Sequence, residues 1–239
     1  MPSATVDSVN VLRVVTSVGN CGFSSRPKRE RAGPAAAHPA SARPPATQSQ
    51  RALTARRFFG VETGPRLRVT NMDGRAFVKR SRASWDVIGI DAYTANAYGS
   101  TLPAHMATRE FFEEVARRLN PGGFMVMNVA APPHTPIARA LQRTLLEVFP
   151  HPMVFAGATG NTILVAGRDQ RWWKREEVVA RAAARIANGE IKLKALEERA
   201  GRMVTSSLPL GDARVLTDDY APVDRLMRES RRWGEKSSG

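Results

Sequence analysis

The 239-residue chain has a single cysteine, Cys21, which excludes an internal disulfide and any metal site built from cysteines alone. A reducing, cytoplasmic setting is therefore the natural expectation, and no metal is expected. Long apolar runs are also missing. Nothing approaches the roughly 20 residues needed to cross a bilayer, so no membrane association is expected. Acidic residues are scarce, 22 Asp and Glu against 36 Lys and Arg, for a formal charge of +14. A basic surface attracts phosphate with little regard to sequence. Here, however, residues 1–58 hold nine Lys or Arg against two acids, a net of +7, and the other +7 is spread over the rest of the chain. There is neither a Cys/His finger spacing nor a basic stretch interleaved with aromatics, so nucleic acid is not the expected partner.

What is present divides into a leader and a domain. From Ser24 to Gln50 the sequence is dominated by Ala, Pro, Arg and Ser without hydrophobic periodicity, and it cannot repay its ordering entropy by burial. Residues 1–50 are accordingly expected to be a disordered basic leader, with a short strand within Val6 to Val18 as the one exception considered. Residues 51–228 form the expected domain, and 229–239 a disordered tail. Hydrophobic residues make up 42% of the chain, enough for one core.

The domain is organised around residues 85–129. An apolar run, Val87 to Ile90, ends on Asp91; a loop from Ala92 to Leu102 and a helix from about Ala104 to Leu119 follow. Pro121-Gly122-Gly123 then turns the chain into a second apolar run, Phe124 to Val129. Strand, crossover helix and parallel strand imply a sheet buried on both faces, with ligands gathering beyond the carboxyl ends of its strands. Upstream, a helix is expected over Ala52 to Phe59, a short strand over Arg66 to Thr70, and a turn through Asp73-Gly74-Arg75 into a helix over Ala76 to Arg82. Downstream, a helix over Ile137 to Phe149 precedes two strands, Met153 to Ala156 and Asn161 to Ala166, that read as an antiparallel pair. Arg171 to Arg202 reads as one or two charged helices broken near Asn188-Gly189, with Trp172 and Trp173 as core anchors.

Several of these stretches together resemble the spermidine synthase (polyamine aminopropyltransferase) family, in particular its bacterial spermidine-synthase-like branch. They are Asp73-Gly74-Arg75 after a strand, Trp85-Asp86-Val87-Ile88-Gly89-Ile90-Asp91-Ala92-Tyr93, Leu102-Pro103 to Phe112, Leu119-Asn120-Pro121-Gly122-Gly123, and Leu216-Thr217-Asp218-Asp219-Tyr220-Ala221-Pro222-Val223. The resemblance spans about residues 51–226. It implies a methyltransferase-type, Rossmann-like doubly wound α/β sheet ending in an antiparallel hairpin, here corresponding to the C-terminal part of a family member. By the same resemblance Asp91 is the catalytic carboxylate, Asp73, Gly74 and Ala92 bind the nucleoside donor, and Tyr93, Asp218, Asp219 and Tyr220 bind the amine. The implied co-substrate is decarboxylated S-adenosylmethionine, or S-adenosylmethionine itself, with no tightly bound cofactor and a small amine such as putrescine as acceptor.

The sequence departs from the family in two places. Characterised members carry a second acid three residues after the catalytic one, where this chain has Thr94, and no acid occurs between Asp91 and Glu110. The Gly-rich donor loop and the ribose-binding acid that open the family fold are also missing. Absent those first strands, an exposed edge on the central strand is expected, and with it a homodimer. Two other readings of the same scaffold are an S-adenosylmethionine-dependent methyltransferase and a catalytically silent binding protein with a basic leader.

Overall fold

The computed structural model describes residues 11–14, 17–19, 57, 64, 67–70, 72–96, 99–168, 171, 173–193, 195–204 and 209–236. The chain divides into two compact units, Met1–Val18 with Gly74–Gly239, and Gly19–Asp73. In chain order the elements are β1 (Val11–Val14), β2 (Ser17–Gly19), α1 (Gly74–Arg80), β3 (Trp85–Ile90), β4 (Tyr93–Asn96), β5 (Gly99–Thr101), a 3-10 turn (Ala104–Met106), α2 (Arg109–Ala116), β6 (Leu119–Val129), α3 (Pro136–Leu146), β7 (Met153–Ala156), β8 (Thr162–Gly167), α4 (Arg175–Ala187), α5 (Leu196–Gly201) and α6 (Val223–Lys236).

The larger unit is built on a five-stranded sheet ordered β1-β3-β6-β8-β7, with β2, β4 and β5 in a separate three-stranded sheet. Strands β1, β3 and β6 are parallel, β8 runs antiparallel to β6, and β7 antiparallel to β8. Alternation along the strands sends Ile88, Ile90, Met125, Met127, Leu164 and Ala166 into the core, where they cluster with Phe111, Phe112 and Val115 of α2 and Ile137, Leu141 and Leu145 of α3. Side chains of this size each contribute about 1.5–3 kcal/mol when fully buried. Phe111 and Phe112 are fully buried, as their shared helical face implied.

Four expectations change. The leader is not wholly without structure: Val11–Val14 form the short strand considered within residues 6–18, pairing in parallel with Val87–Ile90. That pairing covers the edge of β3 expected to be exposed, so the argument for a homodimer from that edge falls away. The stretch from Ala92 to Leu102 is not a plain loop but holds the hairpin β4–β5, paired from Thr94↔Thr101 to Asn96↔Gly99. The tail expected from residue 229 is helical to Lys236. Val223, Met227 and Ser230 form a buried stripe along α6, and the Ser230 hydroxyl accepts from the Ile137 backbone N–H at 3.2 Å, which anchors the helix to the start of α3.

The Pro-Gly-Gly turn also takes another form. Strand β6 runs through it, and the register passes from Trp85↔Leu119 to Val87↔Phe124, so the extra residues bulge out of the ladder. Gly122 has φ +74, and a Cβ on Gly123 would lie 2.9–3.1 Å from the carbonyl oxygens of Asn120, Trp85 and Asp86. Only glycine fits both positions. The charged C-terminal helices break where expected, with Asn188 capping α4 and Gly189 at φ +70. Trp173 is not a core anchor: it lies half-buried between the guanidinium groups of Arg171 and Arg181, 4.2 and 4.4 Å from its ring centroid. Trp172 lies outside the described residues.

In the smaller unit the expected strand at 66–70 reduces to a single bridge, Gly64↔Leu67, with residues 68–70 irregular and exposed. Leu67 and Val69 gain little burial there to hold a strand. The helix expected over 52–59 lies outside the described residues except for Arg57, which is helical.

Candidate functional site

Asp91 is the first residue past β3, and the strand order places Asn128 beside it and Asn161 beside Asn128. Because β6 is parallel to β3, its last residues reach the same end of the sheet; because β8 is antiparallel to β6, its first residues do so too. Asn128 pairs with Ile163 and Val129 with Thr162, which leaves Asn161 just beyond the start of β8. Asn128 Nδ2 donates to Asp91 Oδ1 at 3.1 Å, Asn161 Nδ2 donates to Asn128 Oδ1 at 2.6 Å, and the Thr159 hydroxyl donates to Asn161 Oδ1 at 3.2 Å. Asp91, Asn128 and Asn161 are all half-buried. A carboxylate in this place can orient a cationic or polar ligand, or take a proton from it.

Tyr93, expected to bind substrate, uses its hydroxyl internally, donating to the Asn128 carbonyl at 2.8 Å. Burial above all, with the Asp91 charge adding, pushes its phenol up to about 12. Tyr93 therefore braces the backbone that carries the partner of Asp91. Ala92 is fully buried in the core, and Gly74 is buried at the start of α1. Asp73 is exposed and belongs to the smaller unit.

The C-terminal acids fall into different environments. Arg75 donates to both oxygens of Asp218, at 2.6 and 2.8 Å, and to both oxygens of the buried Glu114, at 3.0 and 3.1 Å. The Thr108 hydroxyl adds a bond to Asp218 Oδ1 at 2.7 Å, and the Asp218 backbone N–H donates to Glu110 Oε2 at 3.0 Å. The hydrogen bonds from Arg75 are the main reason the Asp218 carboxyl is lowered to about 2. A planar guanidinium fork thus matches both oxygens of Asp218, whose side chain remains 45% exposed. It clasps the segment 216–220 to α1 and α2.

Asp219 and Tyr220 are exposed. Tyr220 lines a hollow of about 460 Å³ that also contains Arg139, Arg214, Arg225, Asp212 and Glu229, and its hydroxyl accepts from Arg225 Nη2 at 3.3 Å. Three guanidinium groups against two carboxylates make that hollow a poor receptor for a cationic amine. Asn128, Asn161 and the Arg75–Glu114 pair were missed from the sequence. Asn128 did leave a signal, as the one strongly polar side chain in the run from Phe124 to Val129. The Arg75–Asp218 contact, 143 residues apart, left none.

No family model matches the chain. The chain is 34% identical over 173 residues, 66% of its length, to a protein of Bifidobacterium longum (strain NCC 2705) named "Probable polyamine aminopropyl transferase". It spans 37% of the length of that relative. Among solved structures, it is similar to a probable spermidine synthase from Corynebacterium glutamicum ATCC 13032, with a TM-score of 0.53 and 23% identity, covering 73% of this chain and 62% of that one. It is also similar to human methyltransferase-like protein 13, solved in complex with SAH, with a TM-score of 0.50 and 20% identity, covering 72% of this chain and 75% of that one. The resemblance read from the sequence is borne out by the relative, and the Rossmann-like α/β fold by both structures.

Proposed function

We propose that this chain, a partial relative of the polyamine aminopropyltransferases, contributes to transfer of an aminopropyl group from decarboxylated S-adenosylmethionine to a small amine such as putrescine. The observation that carries the reading is Asp91, at the carboxyl end of a parallel strand with Asn128 donating to it, in a chain related to a protein of that name. In the reaction the nitrogen lone pair of the amine attacks the carbon next to the sulfonium. A carbon–nitrogen bond forms as the carbon–sulfur bond breaks, its electron pair passes to sulfur, and neutral methylthioadenosine leaves. The proton shed by the nitrogen is accepted by the Asp91 carboxylate.

Such a step needs little covalent help. It needs the two reactants held in line and an attacking nitrogen free of its proton. Asp73 would take the adenine amino group and Gly74 would let backbone approach the donor, as in the family. Ala92 would serve through packing alone. For the amine, the exposed Asp219 is the remaining acid of the C-terminal segment, since Asp218 is held by Arg75. We place the reaction in the cytoplasm, in keeping with a single cysteine and with no helix among the described residues being long and apolar enough to cross a membrane.

The test is product identification. The purified chain is incubated with putrescine and either decarboxylated S-adenosylmethionine or S-adenosylmethionine, and the products are read by mass spectrometry. Equimolar methylthioadenosine and aminopropylated amine are expected with the decarboxylated donor alone. A methylated product, or none with either donor, would overturn the proposal.

A further inference from the structure

Asp91 does not stand alone on its strand end: it closes a chain of side-chain amides that reaches across three neighbouring strands, and the polarity of that chain is fixed. A carboxylate can only accept, so the Asn128 amide nitrogen must face Asp91 Oδ1, at 3.1 Å. That leaves Asn128 Oδ1 to accept from Asn161 Nδ2 at 2.6 Å, and Asn161 Oδ1 to accept from the Thr159 hydroxyl at 3.2 Å. Two asparagines that merely satisfied one another would tolerate either amide orientation. A chain terminating in a carboxylate does not.

The surrounding backbone holds this arrangement. The carbonyl of Asn128 accepts from the Tyr93 hydroxyl at 2.8 Å, which fixes the residue that carries the first amide. The carbonyl of Asn161 accepts from the Gly157 N–H at 2.7 Å. A Cβ at Gly157 would stand 1.7 Å from Asn161 Oδ1, so a glycine at this place is what leaves room for the second amide. The turn between β7 and β8 is thereby fitted to the side chain that directs Asn128.

We propose that Asn128 and Asn161 are positioning residues that fix the rotamer of the Asp91 carboxylate through this one-way hydrogen-bond chain. The inference rests on the role proposed for Asp91 and deepens it. A general base works only where its oxygen meets the proton it removes, and a misplacement of about 1 Å can cost on the order of a hundredfold in rate. One amide bond uses one of the several acceptor positions of a carboxylate, so orienting the group in this way does not use up its capacity to accept a proton.

The test uses Asn161→Asp, which keeps the side-chain shape but replaces the donating nitrogen by an acceptor. The Asn128 amide then lies between two carboxylates and can donate to only one of them, so its hold on Asp91 is divided. The expected result is a fall in kcat of about 10- to 100-fold, with KM for amine and donor and the thermal midpoint little changed. Gly157→Ala, which displaces the Asn161 amide without altering its chemistry, is expected to lower kcat in the same way. A second readout needs no turnover: solvent exchange of the Asn128 side-chain amide hydrogens, followed by NMR, should be slow in the native chain and fast in Asp91→Ala, which removes their acceptor. Unchanged kcat in Asn161→Asp, in a protein that Asp91→Asn disables, would overturn the inference. So would Asn128 exchange that is indifferent to Asp91→Ala. If the native chain transfers no aminopropyl group, the proposed function fails, and the exchange measurement then decides the positioning chain by itself.

Discussion

Replacing Arg75 by Met would break the clasp that ties α1, α2 and the 216–220 segment together, and its cost can be worked from the contacts. The Arg75 side chain is 13% exposed, and its guanidinium bonds both oxygens of Glu114, whose side chain is 9% exposed, as well as both oxygens of Asp218. Removing one member of a buried pair leaves an uncompensated charge, a loss of about 3–5 kcal/mol. Against a total stability of about 5–15 kcal/mol, that is a large part of what holds the fold. The Asp218 branch is smaller. Lowering its carboxyl from 3.8 to about 2 sets an upper bound of about 2.4 kcal/mol, and because the side chain is 45% exposed, solvent screening reduces this to about 1 kcal/mol. A carboxyl depressed in the folded state stabilises fully above its unfolded value, so this contribution is lost as pH falls from about 4 through about 2. Urea unfolding followed by circular dichroism at pH 7 should show Arg75→Met destabilised by about 3–5 kcal/mol and Asp218→Asn by about 1 kcal/mol. The difference between the native chain and Asp218→Asn should shrink towards pH 2. A cost below about 1 kcal/mol for Arg75→Met, or a pH-independent difference for Asp218→Asn, would refute the reasoning.

Two further outcomes follow from single contacts. Gly123→Ala forces a methyl group against three backbone carbonyl oxygens at 2.9–3.1 Å and should lower stability by about 1–3 kcal/mol, or more if the bulge cannot relax; an unchanged urea midpoint would contradict the bulge geometry. The chain has three tyrosines, and an ultraviolet pH titration should show one phenol ionising near 12 that is lost in Tyr93→Phe. Because that phenol is raised in the folded state, stability should fall as pH rises from about 10 towards 12.

The parts of the fold that were legible in the sequence are those coded locally. The run Val87–Ile90, the apolar run after Gly123, the β7–β8 pair and the helix break at Asn188-Gly189 each carry their signal within a few residues, through apolar runs and glycine stops. The parts that were not legible depend on partners far along the chain. Val11–Val14 is a strand because Val87–Ile90 offers it an open edge, and nothing in a segment beside an Ala- and Pro-rich leader announces that pairing. The hairpin β4–β5 lacks the Asn-Gly or Asp-Gly turn that would have marked it. Asp91 could be singled out because a lone acid at the end of an apolar strand is conspicuous. Its directing amides could not, since Asn128 and Asn161 are 33 positions apart and meet only through the antiparallel pairing of β6 with β8. The internal contacts of Asp218 and Tyr93 were hidden for a related reason: each side chain has a partner, Arg75 and the Asn128 carbonyl, that adjacency in the sequence does not reveal.

The central claim is that the Asp91 carboxylate takes the proton from the attacking amine. Single-turnover formation of aminopropylated putrescine from decarboxylated S-adenosylmethionine, compared between the native chain and Asp91→Asn, tests it most directly. Asparagine keeps the size of the side chain and removes its capacity to accept a proton, so the rate should fall at least about a hundredfold while methylthioadenosine binding, measured by calorimetry, is retained. Equal rates in the two proteins would contradict the account.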